Sequence, residues 1–243
     1  MLPKIDVPVY ELKLPSSEKK VKFRPFLVKE QKLLLMASES DDPKDSLNVV
    51  KQISKNCVLD DVDIESLPVF DLEYIFLNLR ARSINEVVKL QYKCNNKIKN
   101  EDGQEETCGS LEKFEVNLLN VLPEKNSNHD KKIMLSEKLG IMMKYPTFEM
   151  VSNLKGTNET EILTELLINC IDFIFDDNQM YYAKDVSKEE LIEFIDNLQQ
   201  KDLEKLQTFF ETSPKIKHSL DFNCHKCGYK ENIVVEGLQN FFV

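Results

Sequence analysis

The 243-residue chain has no tryptophan, only six glycines and only three histidines. So few glycines argue against a glycine-rich phosphate loop, and neither a P-loop nor a dinucleotide-binding fingerprint occurs. The three histidines form no paired metal-binding motif, and no nucleophile elbow is present. We therefore predict that the chain is not an enzyme, has no catalytic residues and takes no small-molecule substrate.

Long apolar runs are also missing. The N-terminus lacks the charged and apolar regions of a signal peptide. The most apolar stretch, residues 162–175, is predicted to be helical, but Glu165, Asn169 and Asp172 interrupt it, so we expect no membrane span. A cytosolic location follows from these absences. Thiols stay reduced in a cytosol, and the six cysteines are therefore expected to be metal ligands or buried side chains rather than disulfides.

An excess of positive charge is the third absence. The chain carries 42 acidic and 32 basic residues, which gives a formal net charge of −10. Nucleic-acid binding depends on Lys and Arg side chains that neutralise phosphates, so this balance argues against a nucleic-acid partner. A local exception stays open, because several lysines lie close in sequence to four of the cysteines. They are Lys89, Lys93, Lys97, Lys99, Lys226 and Lys230.

The patterns that are present predict an α+β fold with amphipathic helices. Alternating residues at 7–14 and 21–26 predict an N-terminal β-hairpin. Apolar residues at helical spacing then predict helices at 28–37 and 43–57 and a third helix that ends near Arg82.

Strands and helices alternate further along the chain. Residues 88–94 and 114–118 have the period of strands, and residues 132–145 are ambiguous but favour a β-hairpin. The last third is mostly helical. Ser187 and Glu190 have the spacing of a capping box, in which each side chain satisfies a free backbone N–H at a helix start.

Three regions are expected from this organisation. Residues 1–86 would form an N-terminal hairpin and helical region, and residues 123–214 a mainly helical region that includes the hairpin at 132–145. Residues 87–122 and 215–243 would come together as a single zinc-ribbon-like unit built from two cysteine-tipped β-hairpins.

Four cysteines at two hairpin tips carry the main chemical signal. Cys94 ends an alternating strand, and Cys108 is followed by a glycine and an outgoing strand. In LDFNCHKCGYK (residues 220–230), Cys224 ends a similar strand, and Cys227 is again followed by a glycine and a strand. Glycine suits the positive-φ turn that directs backbone N–H groups towards a thiolate. The pattern predicts that the two tips face each other and bind zinc through four cysteines.

Such a site would be structural, because it leaves no coordination position open. Zinc would be a cofactor that ties the middle of the chain to its end. Two alternatives remain: cysteines that fill small apolar spaces without metal, and a redox pair, although no helix follows to lower a thiol pKa. The wide spacing between Cys94 and Cys108 is the weak point of the zinc hypothesis. His225 is expected to point outward, and Cys57 and Cys170 to lie in the core.

Three stretches of the chain are distinctive in combination. They are the opening LPKIDVPVYELKLPSSEKKVKFRPFLVKEQKLLLMA, the helical LPVFDLEYIFLNLRARS and the ending FNCHKCGYKENIVVEGLQNFFV. Together they resemble the baseplate hub protein family of T4-like tailed phages, which includes the hub subunit and the related hub assembly catalyst. The resemblance runs over essentially the whole chain, supports Cys224 and Cys227 as a motif and brings no catalytic residues.

The resemblance implies a non-enzymatic structural or assembly protein of the phage tail baseplate hub, a late protein of virion assembly. Its partners would be other baseplate and tail proteins, and it would be found in the host cytoplasm during assembly and in the virion tail baseplate. The hub subunit and the assembly catalyst stay open as alternatives, and so does a zinc-ribbon nucleic-acid-binding module. Phe241 and Phe242 are candidates for docking or for the edge of the core, and Phe209 and Phe210 have the same two interpretations.

Overall fold

The computed structural model describes residues 6–38, 43–100, 103–155 and 158–241. Within these ranges the fold is α+β, as predicted, with seven α-helices and thirteen strands. No helix in the described part of the chain is long and apolar enough to cross a membrane.

The helices and strands follow one another in small groups. The helices are α1 (Val28–Ser38), α2 (Pro43–Cys57), α3 (Val69–Ser83), α4 (Phe148–Ser152), α5 (Glu159–Asn169), α6 (Lys188–Asp196) and α7 (Gln200–Thr212). The strands are β1 (Tyr10–Lys13), β2 (Lys20–Phe23), β3 (Val87–Lys93), β4 (Lys97–Lys99), β5 (Glu105–Thr107), β6 (Leu111–Asn117), β7 (Pro123–Glu124), β8 (Lys132–Met134), β9 (Gly140–Met143), β10 (Ile171–Phe175), β11 (Met180–Tyr182), β12 (Lys215–Asn223) and β13 (Lys230–Glu236).

The chain divides into two compact units. Unit 1 comprises Met1–Asp61, Glu73–Glu124 and Lys215–Val243, and unit 2 comprises Val62–Leu72 and Lys125–Pro214.

Unit 1 begins with the predicted hairpin, in which β1 pairs antiparallel with β2. Leu12, Val21 and Phe23 are buried on one face of this hairpin. Both strands are shorter than predicted, since each predicted strand contains a proline, Pro8 or Pro25. Proline has no N–H for strand pairing and therefore tends to end a strand.

A buried ion pair holds the start of α1 in unit 1. Glu30 is fully buried, and its Oε1 accepts a hydrogen bond from Arg24 Nη2 at 3.0 Å. Its Oε2 accepts the backbone N–H of Leu27 at 2.8 Å. Charge compensation and hydrogen bonding together make a buried carboxylate tolerable, and here they connect the hairpin to the helix.

The strands of unit 1 form separate antiparallel groups. β3 pairs with β6, β4 pairs with β5, and β12 pairs with β13 on one edge and with β7 on the other. Side chains from α3, β3, β6, β12 and β13 form a common apolar core. It contains Leu77, Ala81, Val88, Leu90, Val116, Leu118, Val121, Ile216, Leu220, Val235 and Phe241.

Phe241 is therefore a core residue. It lies in a short 3-10 helix at Leu238–Phe241 and is only 1% exposed. Of the two interpretations that the sequence allows, docking and the core, the structure supports the core, because burying a large aromatic ring removes a large apolar area from water. Phe242 lies outside the described residues.

Unit 2 contains a four-stranded antiparallel sheet in the order β11-β10-β9-β8. β8 and β9 are the hairpin expected near residues 132–145. Ile133, Ile141 and Ile174 point from one face of this sheet into a core that also includes Leu167, Leu191, Leu206 and Phe209. The predicted capping box is confirmed, because Ser187 and Glu190 each bond the other's backbone N–H at the start of α6.

The predicted helix at residues 162–175 is wrong in its second half. α5 ends at Asn169, Cys170 is its C-terminal cap, and the next five residues form β10. Those residues are Ile-Asp-Phe-Ile-Phe, which are rich in the β-branched and aromatic types that favour strands. The apolar positions have helical spacing, but hydrogen bonding to β9 and β11 makes this segment a strand.

Phe209 belongs to the core of unit 2. It is 2% exposed, and its ring centroid lies 5.9 Å from that of Tyr145 and 5.1 Å from that of His129. Phe210 is half-buried and packs edge-on against Phe209. For both residues the structure favours the core over docking.

Candidate metal centre

The first half of the cysteine site lies where β3 ends and β6 begins. Cys94 follows the last β3–β6 pair, Lys93 with Leu111. The Cys94 N–H donates to the carbonyl of Ser110 at 2.8 Å, and the Gly109 N–H donates to the Cys94 carbonyl at 3.0 Å. Gly109 has φ +68°, a left-handed conformation that glycine adopts without steric cost. The predicted glycine turn is present.

The wide spacing between Cys94 and Cys108 is explained by a second ribbon. β4 and β5 pair between the two cysteines and carry the intervening residues away from the site. The Cys108 N–H donates to the carbonyl of Asn96 at 2.8 Å, which closes the base of this ribbon. An insertion that forms its own antiparallel pair returns to its starting point, so a wide spacing in sequence is compatible with neighbouring cysteines in space.

The second half is the tight turn between β12 and β13. The Cys224 N–H donates to the carbonyl of Tyr229 at 2.9 Å, and the Gly228 N–H donates to the Cys224 carbonyl at 2.9 Å. Gly228 has φ +70°. This turn therefore has the same construction as the one at Gly109, with the glycine again placed directly after the second cysteine.

The four sulfurs come together, with all Sγ atoms within 4.8 Å of one another. The distance from Cys94 Sγ to Cys227 Sγ is 3.7 Å, and that from Cys108 Sγ to Cys224 Sγ is also 3.7 Å. All four cysteines are free thiols. Four sulfurs bound tetrahedrally to one zinc at about 2.3 Å would lie roughly 3.8 Å apart, so the observed separations fit such a site.

Apolar side chains surround the sulfur cluster. Cys94 and Cys224 are 1% exposed and Cys108 is 5% exposed, whereas Cys227 is half-buried. Phe222 is buried beside them, and its ring centroid lies 6.1 Å from that of Phe114. This environment limits the access of water to the sulfurs.

The electrostatics of the cluster favour a bound cation. Burial raises the pKa of Cys94 to about 12. The backbone N–H of Tyr229 lowers the pKa of Cys227 to about 6. Four sulfurs this close cannot all be thiolates without a counter-charge, because like charges repel strongly in apolar surroundings. Thiolate is the form that binds zinc, so the donor set fits a divalent metal.

His225 lies outside the sulfur cluster. Its ring is 71% exposed, and its Nδ1 and its backbone N–H both bond Glu112 Oε1. The backbone N–H of His225 makes the largest contribution to lowering the pKa of Glu112. The pair therefore connects the two hairpins beside the cysteines.

The two remaining cysteines lie in the cores. Cys57 is the last residue of α2 and Cys170 caps α5, and both are fully buried. Burial raises the pKa of Cys57 to about 11 and that of Cys170 to about 12, so neither is ionised near neutral pH. They are core residues, as predicted.

One polar neighbour of the site was not found from the sequence. Asn96 Nδ2 donates to Cys227 Sγ at 3.7 Å, across the two hairpins. Its position two residues after Cys94 is the only available signal. An amide there cannot be distinguished from a loop residue until the hairpins are placed together.

These features describe an α+β protein with a four-cysteine centre at the meeting of two hairpins. A family model for the T4 bacteriophage base plate protein matches residues 7–243. The chain therefore belongs to this family, as the resemblance implied. No curated protein and no solved structure matches it.

Family membership has consequences for role, partners and place. It indicates a structural baseplate protein. It also implies that the partners are other phage tail proteins and that the protein is located in the virion tail baseplate.

Proposed function

We propose that this protein is a structural or assembly component of the tail baseplate hub of a T4-like phage. It acts through protein–protein contacts and assembles in the host cytoplasm. The family match over residues 7–243 is the observation that carries this proposal. A cysteine centre without an open position adds support, because it suits a scaffold rather than a catalyst.

We also propose that Cys94, Cys108, Cys224 and Cys227 hold one structural zinc ion. The support is the sulfur geometry, since all four Sγ atoms lie within 4.8 Å of one another. Zinc would join residues 87–122 and 215–243 into one zinc-ribbon-like unit. Each hairpin alone buries little apolar surface, and a shared metal would offset the entropy of ordering both.

Assembly in vivo tests the hub role. A phage in which this chain is removed by a nonsense mutation should produce no complete baseplates, and supplying the chain in trans should restore them. Electron microscopy of tail structures in infected cells provides the readout. Normal baseplates in the absence of the chain would contradict the proposal.

Elemental analysis tests the zinc site. Protein purified without chelator should contain about one zinc per chain, as a closed four-ligand site requires. Cys94→Ser and Cys224→Ser should each abolish it, because each removes a ligand from a different hairpin. Cys170→Ala is the matched control and should keep its zinc. Folded wild-type protein without metal would exclude the site.

The nucleic-acid alternative receives little support from the lysines near the site. Lys89 pairs with Glu115 at 3.5 Å, and Lys97 lies 4.0 Å from Glu105. Lys226 Nζ donates to the carbonyl of Cys108 at 3.2 Å. Two of these lysines thus have a carboxylate partner within the chain, and the net charge of −10 opposes a polyanion, so salt-dependent DNA binding should be absent.

The redox alternative is also disfavoured. β13, and not a helix, follows the turn that contains Cys224 and Cys227. The thiols therefore lack the helix N-terminus that activates thioredoxin-like cysteines. An insulin-reduction assay should show no activity that depends on Cys224.

A further inference from the structure

The four-stranded sheet of unit 2 is apolar on both faces. One face carries Ile133, Ile141 and Ile174 into the core. An antiparallel sheet with one buried face ordinarily presents polar side chains on the other. Here the opposite face is apolar as well. We call it the outer face, and its apolar residues are Met134, Met142, Phe173, Phe175, Met180 and Tyr182.

Strand register places these side chains in two adjacent rows. Phe173 pairs with Tyr182 on β11 and with Met142 on β9. In the next row Phe175 pairs with Met180 on β11 and with Gly140 on β9. Directly paired residues lie on the same face, and so do residues two apart in a strand, so the rows form one continuous surface.

Ring contacts hold this surface in shape. The ring centroid of Phe173 lies 5.5 Å from that of Tyr182 and 6.2 Å from that of Phe175. The Phe175 ring covers Gly140 so closely that an added Cβ there would lie 2.4 Å from it. The aromatic side chains thus lie against one another and against the sheet. A rigid, preformed apolar surface loses little entropy when a partner binds.

The outer face is accessible. Met180 is 59% exposed, Tyr182 44% and Met134 38%. Methionines and aromatic rings are the types enriched at protein interfaces, because methionine adapts its shape and aromatic rings bury a large area. The apolar cluster that forms the core of unit 2 includes none of these residues.

Two lysine side chains contact aromatic rings of the outer face. Lys132 Nζ lies 5.1 Å from the ring centroid of Phe175, and Lys184 Nζ lies 5.5 Å from that of Tyr182. In the described part of the chain, neither ammonium forms a salt bridge. The nearby turn carboxylates are already used within the chain. Asp177 pairs with Lys138, and Asp176 accepts N–H groups of its own turn.

We propose that the outer face docks another protein of the same baseplate, through a segment whose apolar side chains are flanked by carboxylates. The carboxylates would meet Lys132 and Lys184, and the apolar side chains would cover the two rows. A second copy of this chain fits less well, since it would bring the same two lysines to the interface and like charges oppose docking. This inference rests on the proposed function and identifies the surface through which it acts.

Binding to purified tail proteins of the same phage tests the proposal. Each protein is titrated against the full-length chain by calorimetry, and one of them should bind the wild type. Tyr182→Ala should weaken that binding about tenfold or more, as removal of a central aromatic contact does. Tyr181→Ala is the matched control, because Tyr181 is the neighbouring residue on the opposite face and pairs with Ile174. It should leave the affinity unchanged.

Charge reversal tests the partner's chemistry. The double variant Lys132→Glu with Lys184→Glu should reduce the association rate about tenfold and weaken its dependence on salt, because opposite charges steer encounter. Lys201→Glu, an exposed change on α7, is the control. Thermal melts establish that every variant is folded.

Three results would overturn the inference. If a tail protein binds and neither outer-face variant alters its affinity, the outer face is not the docking surface and the proposed function stands. If Tyr182→Ala instead abolishes self-association in sedimentation experiments, the occupant is a second copy. If no tail protein binds the wild type, both the inference and the proposed function fail.

Discussion

Removing one ligand from the cysteine centre should destabilise unit 1 far more than removing an ordinary buried thiol. Cys94 and Cys227 are 133 positions apart in the chain, and their sulfurs lie 3.7 Å apart. A cross-link that closes a loop of this length lowers the conformational entropy of the unfolded chain. In the chain-entropy model this raises the free energy of unfolding by about 5 kcal/mol. Cys224→Ser also leaves a buried hydroxyl in an apolar cluster, which costs about 1–3 kcal/mol without a partner.

Urea unfolding with and without chelator measures this effect. Chelator should lower the free energy of unfolding of the wild type by several kcal/mol and leave Cys224→Ser unchanged, since that variant has no zinc to lose. Hydrogen exchange locates the loss. Amides of β3, β6, β12 and β13 should lose protection, whereas those of α6 and α7 in unit 2 should keep theirs.

Cys170→Ala provides the control in unit 2. This change removes a fully buried thiol and should cost about 1 kcal/mol, with zinc content and chelator sensitivity preserved. If Cys224→Ser and Cys170→Ala lose the same stability, or if chelator affects the wild type and Cys224→Ser equally, the argument that a shared metal stabilises the two hairpins is refuted.

Three further changes test other parts of the structure. Phe241→Ala should lower the free energy of unfolding in urea by about 3–5 kcal/mol, because it empties a core site, and should leave partner binding by the folded molecules intact. Burial alone would raise the pKa of Glu30, but hydrogen bonds from Arg24 and from the Leu27 N–H outweigh it and lower the pKa below 4.5. The stability that Glu30 contributes should therefore be present at neutral pH and lost as the pH falls through this lowered value. In thermal melts Glu30→Gln should remove that acid-dependent loss and, by leaving the Arg24 guanidinium without its carboxylate partner, cost about 3–5 kcal/mol at neutral pH. Ser187→Ala should cost about 1 kcal/mol and reduce hydrogen-exchange protection at the start of α6, whereas Ser187→Asp, which can still cap the helix, should not.

The sequence was sufficient to predict those elements that are determined by interactions between residues a few positions apart. The capping box at Ser187 and Glu190 is such a case, because both partners lie in one turn of chain. The glycine turns after Cys108 and Cys227 are another, since positive φ at Gly109 and Gly228 is a local backbone requirement. Pairing of the two cysteine motifs could also be inferred from their similar construction.

Tertiary structure decided whatever depends on partners distant in sequence. β10 has helical spacing of its apolar residues, and only β9 and β11 make it a strand. From the sequence Phe241 could either dock a partner or lie at the edge of the core, and only the packing of unit 1 shows that it is buried. The outer face arises because Phe173, Phe175 and Tyr182 become neighbours through register. Periodicity specifies which residues share a face of a strand, but the free energy of burying that face depends on what packs against it, and this is determined by the assembled fold.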